Sequence, residues 1–288
     1  MTNYLIESVK SALISIQVQR KKSILLIAAP HLDIGLLTEL YRYRKQIDQQ
    51  DELDIVLYTK GGDVNATRRI ALLLHDFAGA TNIIVPSHCQ SSGTLLALAA
   101  KQILYTPLSL FTAIDPHLHG NGGDDSQSIS TNDIRYFPNS CVDWFGIDES
   151  EAKTMLSTLA DSIFAPTLTA FYRTEQETYQ VAQELLSLPA YLENTQIMEI
   201  SRFLINGLHS HNYYLTGEQL QRLGLNTCAA KELEEACSVF AENLPAMIGG
   251  AARENIDDTW CDALIISPDS VSQRIKTPDS IITQWTRA

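Results

Sequence analysis

Three short segments rich in isoleucine and valine punctuate the first third of the chain: SILLIAA (Ser23–Ala29), LDIVLYT (Leu53–Thr59) and TNIIVPS (Thr81–Ser87). Their apolar residues run consecutively, a pattern that suits strands covered on both faces. Between them, DIGLLTELYRYRKQIDQQ and VNATRRIALLLHDFA space apolar residues three and four apart, as amphipathic helices do, and GTLLALAAKQI is apolar almost all round. Strand and helix alternating at these lengths predict βαβ units with right-handed crossovers and a parallel sheet, an α/β fold.

A fourth strand-like piece, QILYTP, precedes SLFTAIDPH, and the Gly, Ser and Asp cluster from Gly120 to Asp133 reads as an exposed loop. From about Asp148 the pattern turns helical, with an interruption near Pro166. NTQIMEISRFLIN reads as a further helix, and Thr216 starts a short one that Gly224 stops. The last fifty residues carry little pattern and suggest no role.

The formal charge of −13 is a modest acidic excess without a long run of one sign, so nucleic acid is not expected as a partner. The N-terminal segment carries Glu7 and Lys10 within its apolar region and lacks a small-residue cleavage site, so neither a signal peptide nor a membrane span is expected. A cytoplasmic protein is the expectation. Cys89, Cys141, Cys228, Cys237 and Cys261 are odd in number and form no CxxC pair, which fits reduced, partly buried thiols and no zinc site.

Gly61 and Gly62 stand between a predicted strand and a helix, at the carboxyl end of a parallel strand, where open α/β sheets bind ligands. Paired glycines allow close approach and leave amide N–H groups free to face a developing anion, and they also suit a plain tight turn. No GxGxxG or GxxxxGK follows, so a dinucleotide or phosphate loop is excluded. One βα unit later, Ser91 or Ser92 opens a helix, where a serine caps the helix or attacks a carbonyl. The GxSxG elbow is excluded, because Cys89 stands where it needs glycine. His117 follows Ser91 by 26 residues at the end of another predicted strand, and a neutral imidazole there can take a serine proton. His209 and His211, spaced i, i+2, read as a metal clip or a structural pair; no third ligand accompanies them at a recognisable spacing, so no metal is expected.

Together, TKGG (Thr59–Gly62), SSGTLLALAA (Ser91–Ala100), DPHL (Asp115–Leu118) and SHNYYLTGEQLQRLGL (Ser210–Leu225) resemble in order the blocks of the serine dehydrogenase proteinase family. That family lies within the Clp/crotonase fold, alongside the Clp protease proteolytic subunit and the signal peptide peptidases. The resemblance implies a Clp/crotonase-like spiral of ββα and βαβ units with a largely helical C-terminal part. It implies a core over 1–147 carrying the nucleophile, a helical extension of that domain over 148–227 for oligomer contacts, and a segment over 228–288 without an assigned role. Carried across, it makes Ser91 the nucleophile and the N–H groups of Gly62 and Ser92 the oxyanion hole. Ser92 replaces the family's glycine and Lys60 its proline. The base is His117, as in Clp subunits, or Lys153, by analogy with the Ser-Lys signal peptide peptidases, or absent. Asp161 is the implied third member; Asp115 reads as too close along the chain to orient His117.

The function expected is a serine peptidase working through an acyl-enzyme without a cofactor, a homo-oligomer in trimeric or hexameric rings, with any activating or unfolding partner encoded elsewhere. A catalytically silent scaffold or regulated subunit that binds a peptide or protein partner is the alternative. An acyl-CoA enzyme with the same oxyanion hole is a third reading, weakened by the serine and by the lack of an adenine-binding signature.

Overall fold

A computed structural model describes residues 2–44, 52–118, 129–253, 255–278 and 283–287. Along the chain run α1 (Thr2–Arg20), β1 (Ser23–Ala28), α2 (Leu36–Tyr43), β2 (Glu52–Tyr58), α3 (Val64–His75), β3 (Ala80–Val85), β4 (His88–Cys89), α4 (Ser92–Ala97), β5 (Gln102–Tyr105) and β6 (Leu110–Phe111). There follow β7 (His117–Leu118), β8 (Ile129–Ser130), α5 (Thr131–Asp143), α6 (Ala152–Ser162), α7 (Ala165–Ser187), α8 (Asn194–Asn206), α9 (Gly217–Arg222) and β9 (Thr227–Ala229). Last come α10 (Glu234–Met247), β10 (Trp260–Ser267), β11 (Ser270–Lys276) and β12 (Gln284–Arg287).

The main sheet is ordered β12-β11-β10-β1-β2-β3-β5-β9, parallel from β1 to β9 and antiparallel from β10 outward. The consecutive apolar runs explain why it is buried on both sides. Leu25 and Ile27 of β1 join one core with α2, α3, α4, α7 and α8, whereas Ile24, Leu26 and Ala28, pointing the other way, join a second with α1 and α10. Burying one such Leu or Ile contributes roughly 1.5–3 kcal/mol.

The parallel strands fall where the apolar runs predict them. The C-terminal segment, to which the sequence assigns no role, takes part in the sheet: β10 pairs antiparallel with β1, matching Leu26 with Ile266, and α10 joins the core on one face. The expected loop from Gly120 to Asp133 is only partly visible. Residues 119–128 lie outside the described residues, while 129–133 form β8 and the first turn of α5, closed by a capping box between Ser130 and Asp133. Pro166 sits in the first turn of α7 and marks the break from α6, and Thr216 caps α9 through its Oγ1 to the Gln219 N–H. Among the described residues no helix is long and apolar enough to cross a membrane.

Candidate active site

The strand ends carry the candidate chemistry, and short backbone ladders bring them together. Beyond β2, the Thr59 N–H donates to the His88 carbonyl at 2.9 Å and the Gln90 N–H returns a bond to the Thr59 carbonyl at 3.2 Å, so the β2 loop lies beside the β4 loop. On its other side, the Leu32 N–H donates to the Gly61 carbonyl at 2.7 Å and the Asp63 N–H to the Leu32 carbonyl at 2.9 Å. Gly62 is held between them at φ +148°, and a Cβ there would stand 2.3 Å from both Leu32 N and O, so only glycine fits. Its own N–H has no hydrogen-bond partner among the described residues. Lys60 stands where the family has proline, and its N–H donates to the Pro30 carbonyl at 3.2 Å, a bond proline cannot make.

Ser91 precedes α4 with φ +50° and ψ −117°, a conformation that side-chain-bearing residues rarely adopt and that persists only where the surroundings enforce it. They do so here. The Ser91 N–H donates to Thr112 Oγ1 at 2.8 Å, the Ser91 carbonyl accepts from the Leu95 N–H at 3.0 Å, and the Gly93 N–H donates to the Gln90 carbonyl at 2.7 Å. Thr94 Oγ1 donates to the Cys89 carbonyl at 2.9 Å and receives the Thr112 N–H at 3.1 Å, tying the turn to the strand end at β6. The Ser91 hydroxyl has no hydrogen-bond partner among the described residues and lies beside the Gly61 backbone. Ser92 does not cap the helix: its Oγ donates to the Gly62 carbonyl at 2.6 Å, joining the two loops. The extra hydroxymethyl, relative to the family's glycine, is thereby turned toward the backbone. As the first residue of α4, Ser92 also keeps a backbone N–H with no intrahelical acceptor.

Asp115, His117 and His211 form the other wall. Asp115 is buried at 4 % exposure. Its Oδ2 accepts from Ser130 Oγ at 2.6 Å, its Oδ1 lies 2.6 Å from His211 Nδ1, and His117 Nε2 stands 3.4 Å from Oδ2, at ion-pair range without hydrogen-bond geometry. The two imidazoles meet edge to face with centroids 4.6 Å apart. Burial alone would raise the Asp115 pKa; contacts with His117, His211 and Ser130 overcome it and hold the carboxyl well below the usual range. The register of β7 with β8, His117 opposite Ser130, sets this group, and the bridge between Phe111 and Leu215 delivers His211 from 96 residues away.

Gly62, Ser91, Ser92, Asp115, His117 and His211 line one cavity of about 640 Å³, closed in part by Thr174 and Glu177 of α7. No hydrogen bond joins Ser91 to either imidazole. Asp161 and Lys153 are not brought in: both are exposed on α6, and neither lines the cavity. Asp115, expected from its closeness in sequence to be unable to orient His117, is instead the carboxylate that meets both histidines. His209 and His211 do not form a clip, since His209 packs on Tyr136 with centroids 5.3 Å apart. The five cysteines are free, and burial drives the Cys89 thiol far above its ordinary pKa and that of Cys237 up to about 12, so neither is a thiolate nucleophile.

Residues 4–129 match the family profile described as ClpP-like SDH-type serine proteinase, which bears out the resemblance over that part of the chain. Two uncharacterized proteins of Methanocaldococcus jannaschii are similar: MJ0137, 27% identical over 73% of this chain and 66% of its own, and MJ1495, 23% identical over 72% and 63%. The chain thus spans slightly less than two thirds of the length of these relatives. Among solved structures, a mutant of the 1510-N membrane-bound stomatin-specific protease aligns at a TM-score of 0.43 with 17% identity, over 72% of this chain and 79% of its own. A mutant of ClpP1 from Listeria monocytogenes aligns at 0.38 with 13% identity, over 76% and 98%.

Proposed function

We propose that the chain is a serine peptidase that cleaves peptide bonds through an acyl-enzyme at Ser91. The observation that carries the reading is the enforced positive-φ turn at Ser91, whose hydroxyl has no hydrogen-bond partner among the described residues and which lines one cavity with Gly62 and Ser92. Ser91 Oγ attacks the peptide carbonyl carbon, and its proton passes to His117. Because His117 Nε2 faces Asp115, Nδ1 is the nitrogen left to take that proton. The two amides receive the oxyanion at the positive end of α4. Collapse of the tetrahedral species breaks the C–N bond, the imidazolium gives its proton to the leaving amine, and water then repeats the sequence to release the acid. In this reading Asp115 takes the orienting role that the family resemblance gives to Asp161. The absence of a Ser91–His117 hydrogen bond is compatible with an unliganded site, in which catalytic hydrogen bonds tighten when substrate arrives.

The substrate class is a peptide or unfolded protein segment admitted to the cavity. A homo-oligomer in the cytoplasm, with unfolding supplied by a separate partner, is part of the same proposal. A catalytically silent scaffold is the second reading, favoured by the missing Ser91–His117 hydrogen bond. One experiment separates the two: a fluorophosphonate probe labels the wild type and not Ser91→Ala, with the variant retaining its thermal unfolding transition. Equal labelling of the variant overturns Ser91 as nucleophile, and no labelling of the wild type in any assembly state supports the scaffold.

A further inference from the structure

The Asp115, His117 and His211 group has a property that the peptidase reading does not use. One donor atom from each lies within 4.8 Å of the others, giving two imidazole nitrogens and one carboxylate at a single point on the cavity wall. His117 Nε2 is buried and has no hydrogen-bond partner among the described residues, its nearest charged neighbour being Asp115 Oδ2 at 3.4 Å, so its lone pair or proton is not committed to a hydrogen bond there. The carboxylate is already oriented by Ser130, as ligating carboxylates are by an outer layer of hydrogen bonds. We propose that this triad is a binding site for a divalent transition cation of the zinc type, ligated by an Asp115 oxygen, His117 Nε2 and His211 Nδ1, with a fourth position open to the cavity.

The chemistry of the donor set selects the ion. Two imidazoles and one carboxylate suit zinc and its neighbours, while calcium and magnesium call for oxygen. Donors around zinc stand roughly 3.3 Å apart, given Zn–N and Zn–O bonds of about 2.0–2.2 Å, so the group must rearrange: donors as much as 4.8 Å apart close in, while His211 Nδ1 backs away from the Asp115 oxygen it meets at 2.6 Å. The side chains able to move are the two histidines, 27% and 29% exposed, while Asp115 is anchored. Binding replaces the Asp115–His211 hydrogen bond and puts the remaining ring hydrogen of His117 on Nδ1. An imidazole metallated on Nε2 and protonated on Nδ1 has no lone pair for a serine proton. The cation is therefore a reversible off-switch; this consequence rests on the peptidase reading, and the binding does not.

The test is calorimetric titration of the full chain with zinc chloride. One ion per chain is expected at micromolar concentration, at least tenfold weaker in His211→Gln and in His117→Gln, and unchanged in Ser91→Ala and His209→Gln. Circular dichroism on each variant establishes that it is folded. In wild type, fluorophosphonate labelling is expected to fall with zinc and return with a chelator. Absence of zinc binding, or binding that His211→Gln leaves unchanged, overturns the site. Zinc binding without any labelling leaves the site standing and removes the peptidase reading; labelling without zinc binding does the reverse.

Discussion

Asp115 and Arg274 are both charged side chains almost wholly out of water, at 4 % and 2 % exposure, but their surroundings differ in kind. Arg274, in β11 of the C-terminal edge, sends Nη1 and Nη2 to Asp33 at 2.8 and 2.6 Å and Nη2 to Asp262 at 2.5 Å; Asp262 in turn meets Lys276 at 3.2 Å. A guanidinium stays charged at any ordinary pH, and two carboxylates match it, so the group is an ion network with nothing to exchange. Asp115 instead faces two histidines and a serine, partners that can gain or lose a proton, move or take a metal. One buried charge joins strands; the other is poised beside a cavity. Burial by itself does not tell a structural charge from a functional one; the partners do.

Substituting each charge should separate these roles. Arg274→Met removes the cation and leaves Asp262 buried, with Lys276 as its remaining partner. It should cost about 3–5 kcal/mol in urea unfolding. Active-site labelling of the fraction that stays folded should be unaffected. Asp115→Asn should do the opposite, slowing fluorophosphonate labelling of Ser91 roughly 100-fold by loss of orientation at His117. The accompanying loss of stability should be about 1–3 kcal/mol, that of altered buried hydrogen bonds. A labelling rate within twofold of wild type in Asp115→Asn would place Asp115 with Arg274, as a structural charge only.

The same contrast explains what was legible in the sequence. The parallel strands could be read because burial on both faces leaves consecutive apolar residues, and Gly62 and Ser91 because strand-end loops of parallel sheets are where glycine and helix-opening serine carry meaning. The C-terminal edge carries a weaker signal. Its β11, SVSQRIK, mixes polar residues into its buried positions, including Arg274 itself, whose partner Asp33 lies 241 residues away. ALII (Ala263–Ile266) in β10 is a short consecutive apolar run of the same type as the early strands, and it is the signal that could extend the sheet. His211 stands out in the sequence, but the local spacing offers it only His209 at i, i+2, whereas the Phe111–Leu215 bridge supplies Asp115 from across the fold. Asp115 itself was masked by the turn character of Asp-Pro. Contacts across such separations leave no local pattern.

Acid unfolding gives the finest test of the comparison. The Asp115 carboxyl is below its ordinary range in the folded chain because contacts with His117, His211 and Ser130 outweigh the rise that burial would impose; Asp33 is lowered in the same sense, Arg274 outweighing burial. A carboxyl with a pKa that falls on folding binds fewer protons folded than unfolded. Its stabilisation is complete above about pH 4, the unfolded value, and drains away as pH drops toward the folded one. Wild type should therefore lose more stability between pH 7 and pH 3 than Asp115→Asn does, by of the order of 1 kcal/mol in urea midpoints converted at a common slope. Asp33→Asn should also lose less than wild type over that range, but it leaves labelling of Ser91 unchanged at pH 7, since Asp33 does not line the cavity. If Asp115→Asn followed the wild-type acid curve, its carboxylate would not be stabilised by the histidines at all, and the distinction between the two buried charges would have to rest on the labelling rate alone.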